Sequence, residues 1–136
     1  MSSIEFGCVR DCMKTEVTEV DGRMDVLSAM KVMRKVNATS LIVKRRDEDD
    51  EYGMLLFSDI AKKVIGADRA PERVNVLEIM AKPVITVRPE MHIRYCARLF
   101  ENFGIGHAPV EEDGKIVGMV SYYRLVLYGL KDLIDE

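Results

Sequence analysis

One segment of this sequence occurs twice. Residues 13–43 align without a gap to residues 80–110, at an offset of 67 positions. The identical pairs are Met13 and Met80, Val17 and Val84, Val20 and Val87, Met24 and Met91, and Val43 and Val110. A shorter match follows, in which Gly53-Met54-Leu55 recurs as Gly118-Met119-Val120. Because an internal repeat fixes the architecture of a chain, and two copies are too few for a solenoid, the repeat predicts two similar units packed face to face, with paired clefts between them.

The chain length bounds how these units fold. With 136 residues, of which 48% are hydrophobic, the chain is one compact domain or two very small ones that share a core. Each half alone has about 60 residues and buries too little surface to be stable. We therefore expect the halves to fold as one unit and the protein to form a homodimer.

The charges exclude some classes of partner. The net charge is −3 with both signs mixed, which argues against nucleic acid, since a phosphate backbone selects clustered Lys and Arg. The one basic cluster, Lys44-Arg45-Arg46, runs directly into the acidic stretch Asp47–Glu51. We interpret this segment as a solvated hairpin tip with compensating charges, in preference to a binding patch.

Cysteine usage and hydropathy indicate the compartment. Three cysteines without a secretory signal fit a reducing cytosol. Cys8 and Cys12 have the spacing of a helical metal pair, but no His or acidic residue stands at ligand spacing, so no metal site is predicted. No apolar run reaches the roughly 18 residues of a spanning helix. The sequence predicts a cytoplasmic protein without membrane insertion.

Apolar periodicity divides the first copy into elements. Positions Val26, Ala29, Met30, Met33 and Val36 form one helical face. The remaining expected elements are a short helix at Val9–Met13, an extended segment at Val17–Val20, strands at Ser40–Val43 and Tyr52–Leu56, and a second helix at Ile60–Ile65. Gly, Pro and charged residues mark 67–75 as the linker, so the copies are assigned to 1–66 and 76–136.

The second copy repeats this order. Its expected elements are a helix at Val76–Met80, an extended strand at Val84–Val87, a helix from Ile93 to Gly104, strands at Ala108–Val110 and Lys115–Val120, and a last helix from Ser121 through Leu133. Asp113-Gly114 is a strong hairpin turn. Each copy therefore reads as a short mixed sheet with helices on one face, which is an α+β arrangement.

The order of these motifs resembles a known module. It comprises a short helix ending in Met80, Pro83-Val84 opening a strand, an amphipathic helix, Ala108-Pro109-Val110, the turn Asp113-Gly114, and Gly118-Met119-Val120-Ser121 leading into a helix. This is similar to a cystathionine-β-synthase (CBS) domain, and the resemblance covers essentially the whole chain as a tandem pair. The resemblance rests on the order of the motifs and on their duplication, because no single motif is specific.

The resemblance implies a sensor rather than an enzyme. Tandem CBS units form a pseudo-twofold module whose two clefts commonly hold AMP, ADP or ATP. Such modules often dimerise and regulate a protein that is fused to them or bound by them. We therefore expect an adenine nucleotide as ligand, no effector domain within this chain, and a separate regulated protein that the sequence does not identify.

The binding motif of the family is Gly-apolar-apolar-Thr/Ser-x-x-Asp, and both copies depart from it. In the family, the hydroxyl at a helix start binds phosphate and the Asp one turn later accepts from the ribose hydroxyls. The first copy keeps Asp59 but has Leu56 in place of the hydroxyl, with Ser58 as a possible substitute two positions late. The second copy keeps Ser121 but has Arg124 in place of the Asp. Asp59 can equally serve the helix dipole, and Arg124 can either meet phosphate as a charged fork or leave the site empty.

Further contacts are implied by position. His107 stands where family members carry a basic residue that contacts phosphate, and Ser40 is its counterpart. The remaining candidates are Val17 and Thr18 in the first copy, with Val84, Ile85, Thr86, Ala108 and Pro109 in the second.

Two other functions stay open at this point. Since both binding motifs are incomplete, the module could be a dimerisation or docking scaffold that binds no ligand. A catalytic function has the weakest basis, because the chain has only two histidines and no Gly-rich phosphate loop or metal spacing.

Overall fold

The computed structural model describes residues 6–136, and they divide into two packing units. The β1–β3 unit is Thr18–Val84; the β4–β5 unit combines the residues up to Val17 with Ile85–Glu136. The helices are α1 (Val9–Cys12), α2 (Val26–Val36), α3 (Phe57–Ile60), α4 (Val76–Ile79), α5 (Ile93–Phe103), α6 (Tyr122–Leu127) and α7 (Lys131–Ile134). The strands are β1 (Glu19–Val20), β2 (Ser40–Val43), β3 (Gly53–Leu56), β4 (His107–Glu112) and β5 (Lys115–Ser121). This mixture of short sheets and helices confirms the α+β prediction.

The β1–β3 unit is built on a three-stranded mixed sheet. β1 runs parallel to β2, and β2 runs antiparallel to β3 with Ser40 opposite Leu56 and Val43 opposite Gly53. Helix α2 packs its apolar face on this sheet, with Val26, Ala29 and Met33 buried. The Asp25 carboxylate accepts from the Ser28 N–H at 2.9 Å and so starts the helix.

The segment 57–75 holds more structure than a helix and a linker. Helix α3 begins at Phe57, three residues earlier than predicted, and continues as a π-helical turn over Ala61–Ile65. A 3₁₀ turn at Pro71–Arg73 lies inside the expected linker. Val74 follows it, is buried, and accepts a hydrogen bond from the Val26 N–H at 2.7 Å.

The β4–β5 unit carries the second copy of the sheet. β4 and β5 form an antiparallel hairpin, and Val87 joins β4 only through an isolated parallel bridge to Val110. In the first copy the matching strand is longer, because the Ile42 N–H donates to the Thr18 carbonyl at 3.0 Å. The residue at the position of Ile42 is Pro109, which has no N–H to donate. The predicted strand at Val84–Val87 is thus reduced to one bridge.

Helix α1 belongs to the β4–β5 unit. Lys14, just after α1, exchanges two backbone hydrogen bonds of 2.8 Å with Met119 of β5. In the other unit, Ala81 after α4 exchanges two bonds of 2.9 Å with Met54 of β3. Each short helix therefore packs with the sheet of the other sequence copy, and the packing units group the chain differently from the expected division at 1–66 and 76–136.

The last helix is shorter than predicted. The sequence suggested one helix from Ser121 through Leu133, but α6 ends at Leu127 and α7 starts only at Lys131. Gly129 stands in this gap, and glycine weakens a helix because its backbone loses the most freedom on folding. Within residues 6–136, no helix is long and apolar enough to cross a membrane.

Candidate functional site

The structure distributes the predicted site residues over both units. Thr18, Ser40, Ser58, Asp59 and Val84 lie in the β1–β3 unit, and Val17, Ile85, Thr86, His107, Ala108, Pro109, Ser121 and Arg124 lie in the β4–β5 unit. Val17 and Val84 are partly buried residues at the unit boundaries. Ile85 and Thr86 are partly buried and lie outside regular elements, while Ala108 and Pro109 are buried inside β4.

In the β1–β3 unit, three candidates gather at one end of the sheet. The Thr18 carbonyl accepts from Ile42 in the neighbouring strand. Ser40 lies opposite Leu56, the last residue of β3, and Asp59 follows in the first turn of α3. Ser58 is exposed. This end of the sheet therefore combines a serine hydroxyl with a carboxylate.

Asp59 already has partners within its own unit. Its Oδ2 accepts from the Leu56 N–H at 2.9 Å, which satisfies one free donor at the helix start. Its Oδ1 lies 3.8 Å from the Lys63 ammonium, and the side chain is 15% exposed. Leu56 cannot return a hydrogen bond from its side chain, so only half of a capping box is present. One carboxylate oxygen is thus committed to the fold, while Oδ1 makes only a long contact with Lys63.

In the β4–β5 unit, His107 and Ser121 are cross-strand neighbours. They stand directly opposite each other in the antiparallel pair of β4 and β5. Such residues project from the same face of the sheet, with Cβ atoms about 4.5–5.5 Å apart. The Ser121 hydroxyl also accepts from the Arg124 N–H at 3.3 Å and caps α6. Imidazole, hydroxyl and the start of a helix therefore meet at one place.

Arg124 is anchored through its guanidinium. Its Nε donates to the Cys12 carbonyl at the end of α1 at 2.7 Å, and the guanidinium carbon lies 4.1 Å above the Tyr128 ring. The residues that the structure describes supply no partner for the two terminal nitrogens of this group. Sequence reasoning missed the contact with Cys12, because nothing in the repeat shows that α1 packs beside α6.

The ionisation of His107 follows from its position. The imidazole is partly buried, and burial lowers its pKa below the ordinary value of 6.5. At neutral pH the ring is uncharged, so it can donate one hydrogen bond but does not act as a fixed cation.

The two buried thiols take no part in this chemistry. Burial raises the pKa of Cys12 and of Cys96 to about 11, which keeps both protonated and unreactive at neutral pH. Residues 6–136 contain no group of three or more His, Cys, Asp or Glu side chains arranged to hold a metal ion.

Known proteins share this sequence pattern. The CBS domain family model matches residues 9–66 and again residues 76–131. An uncharacterised protein of Methanopyrus kandleri is 30% identical over 90 residues, covering 65% of this chain and 45% of that protein. The mitochondrial CBS domain-containing protein CBSX3 of Arabidopsis thaliana is 29% identical over 130 residues, covering 88% and 63%. The chain therefore spans about half to two thirds of the length of these relatives.

Solved structures share the fold. A hexameric CBS-CP12 protein from bloom-forming cyanobacteria is 33% identical with a TM-score of 0.89, covering 92% of this chain and 69% of that one. A CBS domain pair solved with 5′-methylthioadenosine and S-adenosyl-L-methionine is 21% identical with a TM-score of 0.75, covering 96% and 97%, and at that identity it shares the fold alone. The repeat, the fold and both family matches agree, and the chain belongs to the CBS domain family as a tandem pair of CBS domains.

Proposed function

We propose that this module binds an adenine nucleotide (AMP, ADP or ATP) and that binding changes the activity of a partner protein. The observation that carries the proposal is the cluster of His107, Ser121 and Arg124 at the start of α6. These groups are hydrogen-bond donors, and phosphate oxygens are strong acceptors for such groups. The match to tandem CBS domains supports the same ligand class.

The two units offer different chemistry to such a ligand. In the β4–β5 unit, the donors suit phosphate, and Arg124 replaces the acceptor that a ribose would need. In the β1–β3 unit, Asp59 Oδ1 suits a ribose hydroxyl, while Leu56 offers nothing to phosphate. We therefore propose that a nucleotide at the β4–β5 unit is held chiefly through its phosphate, and that at the β1–β3 unit Asp59 contributes to ribose recognition.

Regulation follows if the nucleotide prefers one conformation of the module. The coupling available from such a preference is typically about 1–3 kcal/mol. A separate regulated protein is part of the proposal.

Isothermal titration calorimetry with AMP, ADP, ATP and adenosine tests nucleotide binding. We expect saturable binding of at least one nucleotide, with adenosine weaker because it lacks phosphate. Arg124→Gln and His107→Gln should each weaken the binding of the nucleotide and leave the binding of adenosine nearly unchanged. Absence of heat and of thermal stabilisation with all four compounds would rule the proposal out.

The contribution of Asp59 needs a matched control. Asp59→Asn keeps an oxygen that can accept from Leu56 but removes the charge. Glu78 caps α4 in the same way, accepting from the Asn75 N–H at 2.7 Å, so Glu78→Gln removes an equivalent charge elsewhere in the same unit. Weaker nucleotide binding in Asp59→Asn alone supports the ribose contact. Equal binding in both variants assigns Asp59 to helix capping only.

We also propose that the protein forms a homodimer. Exposed apolar side chains on α6 and α7 support this, since large exposed apolar patches mark interaction surfaces. They are Tyr123, Val126, Leu127, Leu133 and Ile134. A second copy is the occupant that suits them, because CBS relatives include a hexameric protein. Light scattering should give a dimer for the natural protein and a monomer for Val126→Glu; a natural monomer contradicts the proposal.

A scaffold without ligand is the second candidate. It is favoured by the hydrogen bonds that Asp59 and Arg124 already make within their own units. Under this alternative the titrations show no binding heat, and a partner is bound equally well with and without nucleotide.

A further inference from the structure

A concave site lies at the end of the β1–β3 sheet away from Asp59. Its cavity has a volume of about 550 Å³. It is bordered by the loop after β1, by the end of β2 with the residues that follow, and by α4 with the segment after it. Small-molecule sites typically measure about 300–1,000 Å³. This cavity is at the end of β2 that holds Val43, whereas Ser40 and the start of α3 are at the opposite end.

Positive charge is concentrated around this cavity. The basic residues that line it are Arg23, Lys44, Arg45, Arg46 and Lys82. Asp21 is the acidic residue in the lining, and Asp50 approaches from the hairpin to bind Arg46 and Lys82. Five cations against two carboxylates leave a local excess of three positive charges, in a chain whose net charge is −3.

The two carboxylates hold several of the cations in place. Arg23 binds Asp21 through Nε at 3.1 Å and Nη2 at 2.9 Å. Asp50 accepts from Arg46 Nε at 3.1 Å and lies 2.7 Å from the Lys82 ammonium. Side chains fixed in this way lose little further freedom when a ligand binds, which favours affinity.

Lys44 and Arg45 make no such direct contact with a carboxylate. The pKa of Asp21 is lowered mainly by its hydrogen bonds from Arg23, and the more distant charge of Lys44 adds to this. In the described part of the chain neither forms an ion pair within 4 Å, and the Arg45 guanidinium lies 4.9 Å above the Tyr52 ring. The ion pair between Asp50 and Arg46 agrees with the interpretation of this segment as a hairpin tip with compensating charges. The other acidic residues of the tip, as far as the structure describes them, form no ion pair with Lys44 or Arg45. Both cations are therefore available to an anion in the cavity.

The lining also includes apolar side chains. Val43, Leu77 and Met80 border the cavity, and Leu77 is 48% exposed. The Leu77 N–H donates to the Gly22 carbonyl at 2.9 Å, which fixes the loop after β1 against α4. The site thus combines an apolar wall with a cationic rim.

The β4–β5 unit has the opposite charge at the matching place. The residues at the positions of Lys44 and Arg45 are Glu111 and Glu112, and the residue at the position of Leu77 is Arg10. Backbone bonds confirm the match, since Arg10 donates to Pro89 as Leu77 does to Gly22. Arg10 binds Glu112 at 2.6 Å there. The positive charge at this place is therefore a property of the β1–β3 unit and is not dictated by the fold.

We propose that this cavity binds a small polyanion, in which phosphate or carboxylate groups meet Lys44 and Arg45 and an organic body contacts Leu77 and Met80. This site is separate from the cluster of His107, Ser121 and Arg124, and it would make the module responsive to a second ligand.

Nuclear magnetic resonance titration with tripolyphosphate and with citrate, at about 0.15 M salt to screen weak surface attraction, tests the site. The natural protein should give saturable shifts at Gly22, Lys44 and Arg45 with at least one probe, and the comparison of probes distinguishes phosphate from carboxylate. The variant K44E/R45E copies the residues of the other unit and should bind at least about tenfold more weakly, since two charge-assisted contacts are lost.

The matched control is K31E/K35E, which makes the same charge change on exposed positions of α2. It should bind like the natural protein, and so should H107Q/R124Q. Equal weakening in K44E/R45E and K31E/K35E would show unspecific attraction and overturn the proposal. Chemical-shift changes confined to residues around Arg124 would also overturn the proposal. The same holds if K44E/R45E changes the oligomer size but binds the probes as the natural protein does.

Discussion

The segment Gly53–Asp59 and its counterpart Gly118–Arg124 begin alike and end differently. Each starts at a buried glycine, runs along the last strand of its sheet and enters a helix. At the first helix, the Asp59 carboxylate reaches back to the Leu56 N–H. At the second, the Ser121 hydroxyl reaches forward to the Arg124 N–H. These are the two halves of one capping box, divided between the copies.

This difference teaches how a duplicated motif diverges. One half of the box is present at each helix start, and the other position holds a residue that does not cap the helix. In the β4–β5 unit, Arg124 uses it to tie α6 to the end of α1. In the β1–β3 unit, a partly buried Leu occupies it. The start of α3 therefore offers a ligand an acceptor, and the start of α6 offers donors.

The largest effect is expected on stability, when the glycine that starts each of these segments is replaced by alanine. A Cβ at position 118 would lie 2.8 Å from the Lys14 carbonyl oxygen, which is backbone, whereas a Cβ at position 53 would come within 2.7 Å only of the flexible Met80 sulfur. We expect Gly118→Ala to lower the free energy of unfolding by about 2–3 kcal/mol and Gly53→Ala by clearly less. Urea denaturation of both variants measures this, and equal losses would contradict the asymmetry.

Arg124→Met should have the next largest effect. It removes the hydrogen bond to Cys12 and the contact with Tyr128, and we expect a loss of about 1–2 kcal/mol in the free energy of unfolding. Arg98→Met is the control, because the Arg98 guanidinium lies 5.8 Å from the Tyr95 ring in a weaker contact of the same type. If the two variants unfold at the same urea concentration, Arg124 does not anchor α1.

Leu56→Ser restores the missing half of the first box. The new hydroxyl would complete the motif with Asp59 and add a donor for phosphate. One added hydrogen bond corresponds to about a two- to tenfold tighter binding of AMP by calorimetry. Leu99→Ser, at a partly buried position of the other unit, controls for the loss of apolar surface. Unchanged or weaker AMP binding in Leu56→Ser would show that the site in the β1–β3 unit does not contact phosphate.

The smallest effect concerns pH. Burial lowers the pKa of His107 in the folded protein, so the unfolded chain binds the proton more readily. The contribution of His107 to stability is therefore fully present above about pH 6.5 and is lost as pH falls through that value toward the folded pKa. We expect His107→Gln, compared by thermal unfolding at several pH values, to lose stability less steeply with acid. An identical slope would mean that His107 does not contribute.

Much of the fold could be predicted from the sequence. Helix α2 was predicted at the observed boundaries because its periodicity, the Asp25 cap and Asn37 in the left-handed conformation all agree. The hairpin turn was also predicted, from the pair Asp113-Gly114. Both residues have the positive φ that the turn requires. The shortening of the strand at Val84–Val87 was harder to see, since it depends on which neighbour Pro109 meets.

The candidate site was predictable only in part. The motif comparison indicated Asp59, Ser121, Arg124 and His107. Asp59 and Ser121 bind groups three residues away, but the partner of the Arg124 guanidinium is distant in sequence. Arg124 and Cys12 are 112 positions apart, and no local pattern links them. The basic cavity was missed for the same reason, because Lys44 and Lys82 meet only after folding.

The sequence by itself determined that there are two similar α+β halves of one family, because duplication, apolar periodicity and turn residues are all local or repeated signals. Tertiary structure alone decided which short helix packs on which sheet, since a four-residue helix such as α1 or α4 carries no signal for its partner. It also decided where charge collects. Charge along the chain is nearly balanced at the hairpin, and only the folded arrangement separates Lys44 and Arg45 from the acids that follow them.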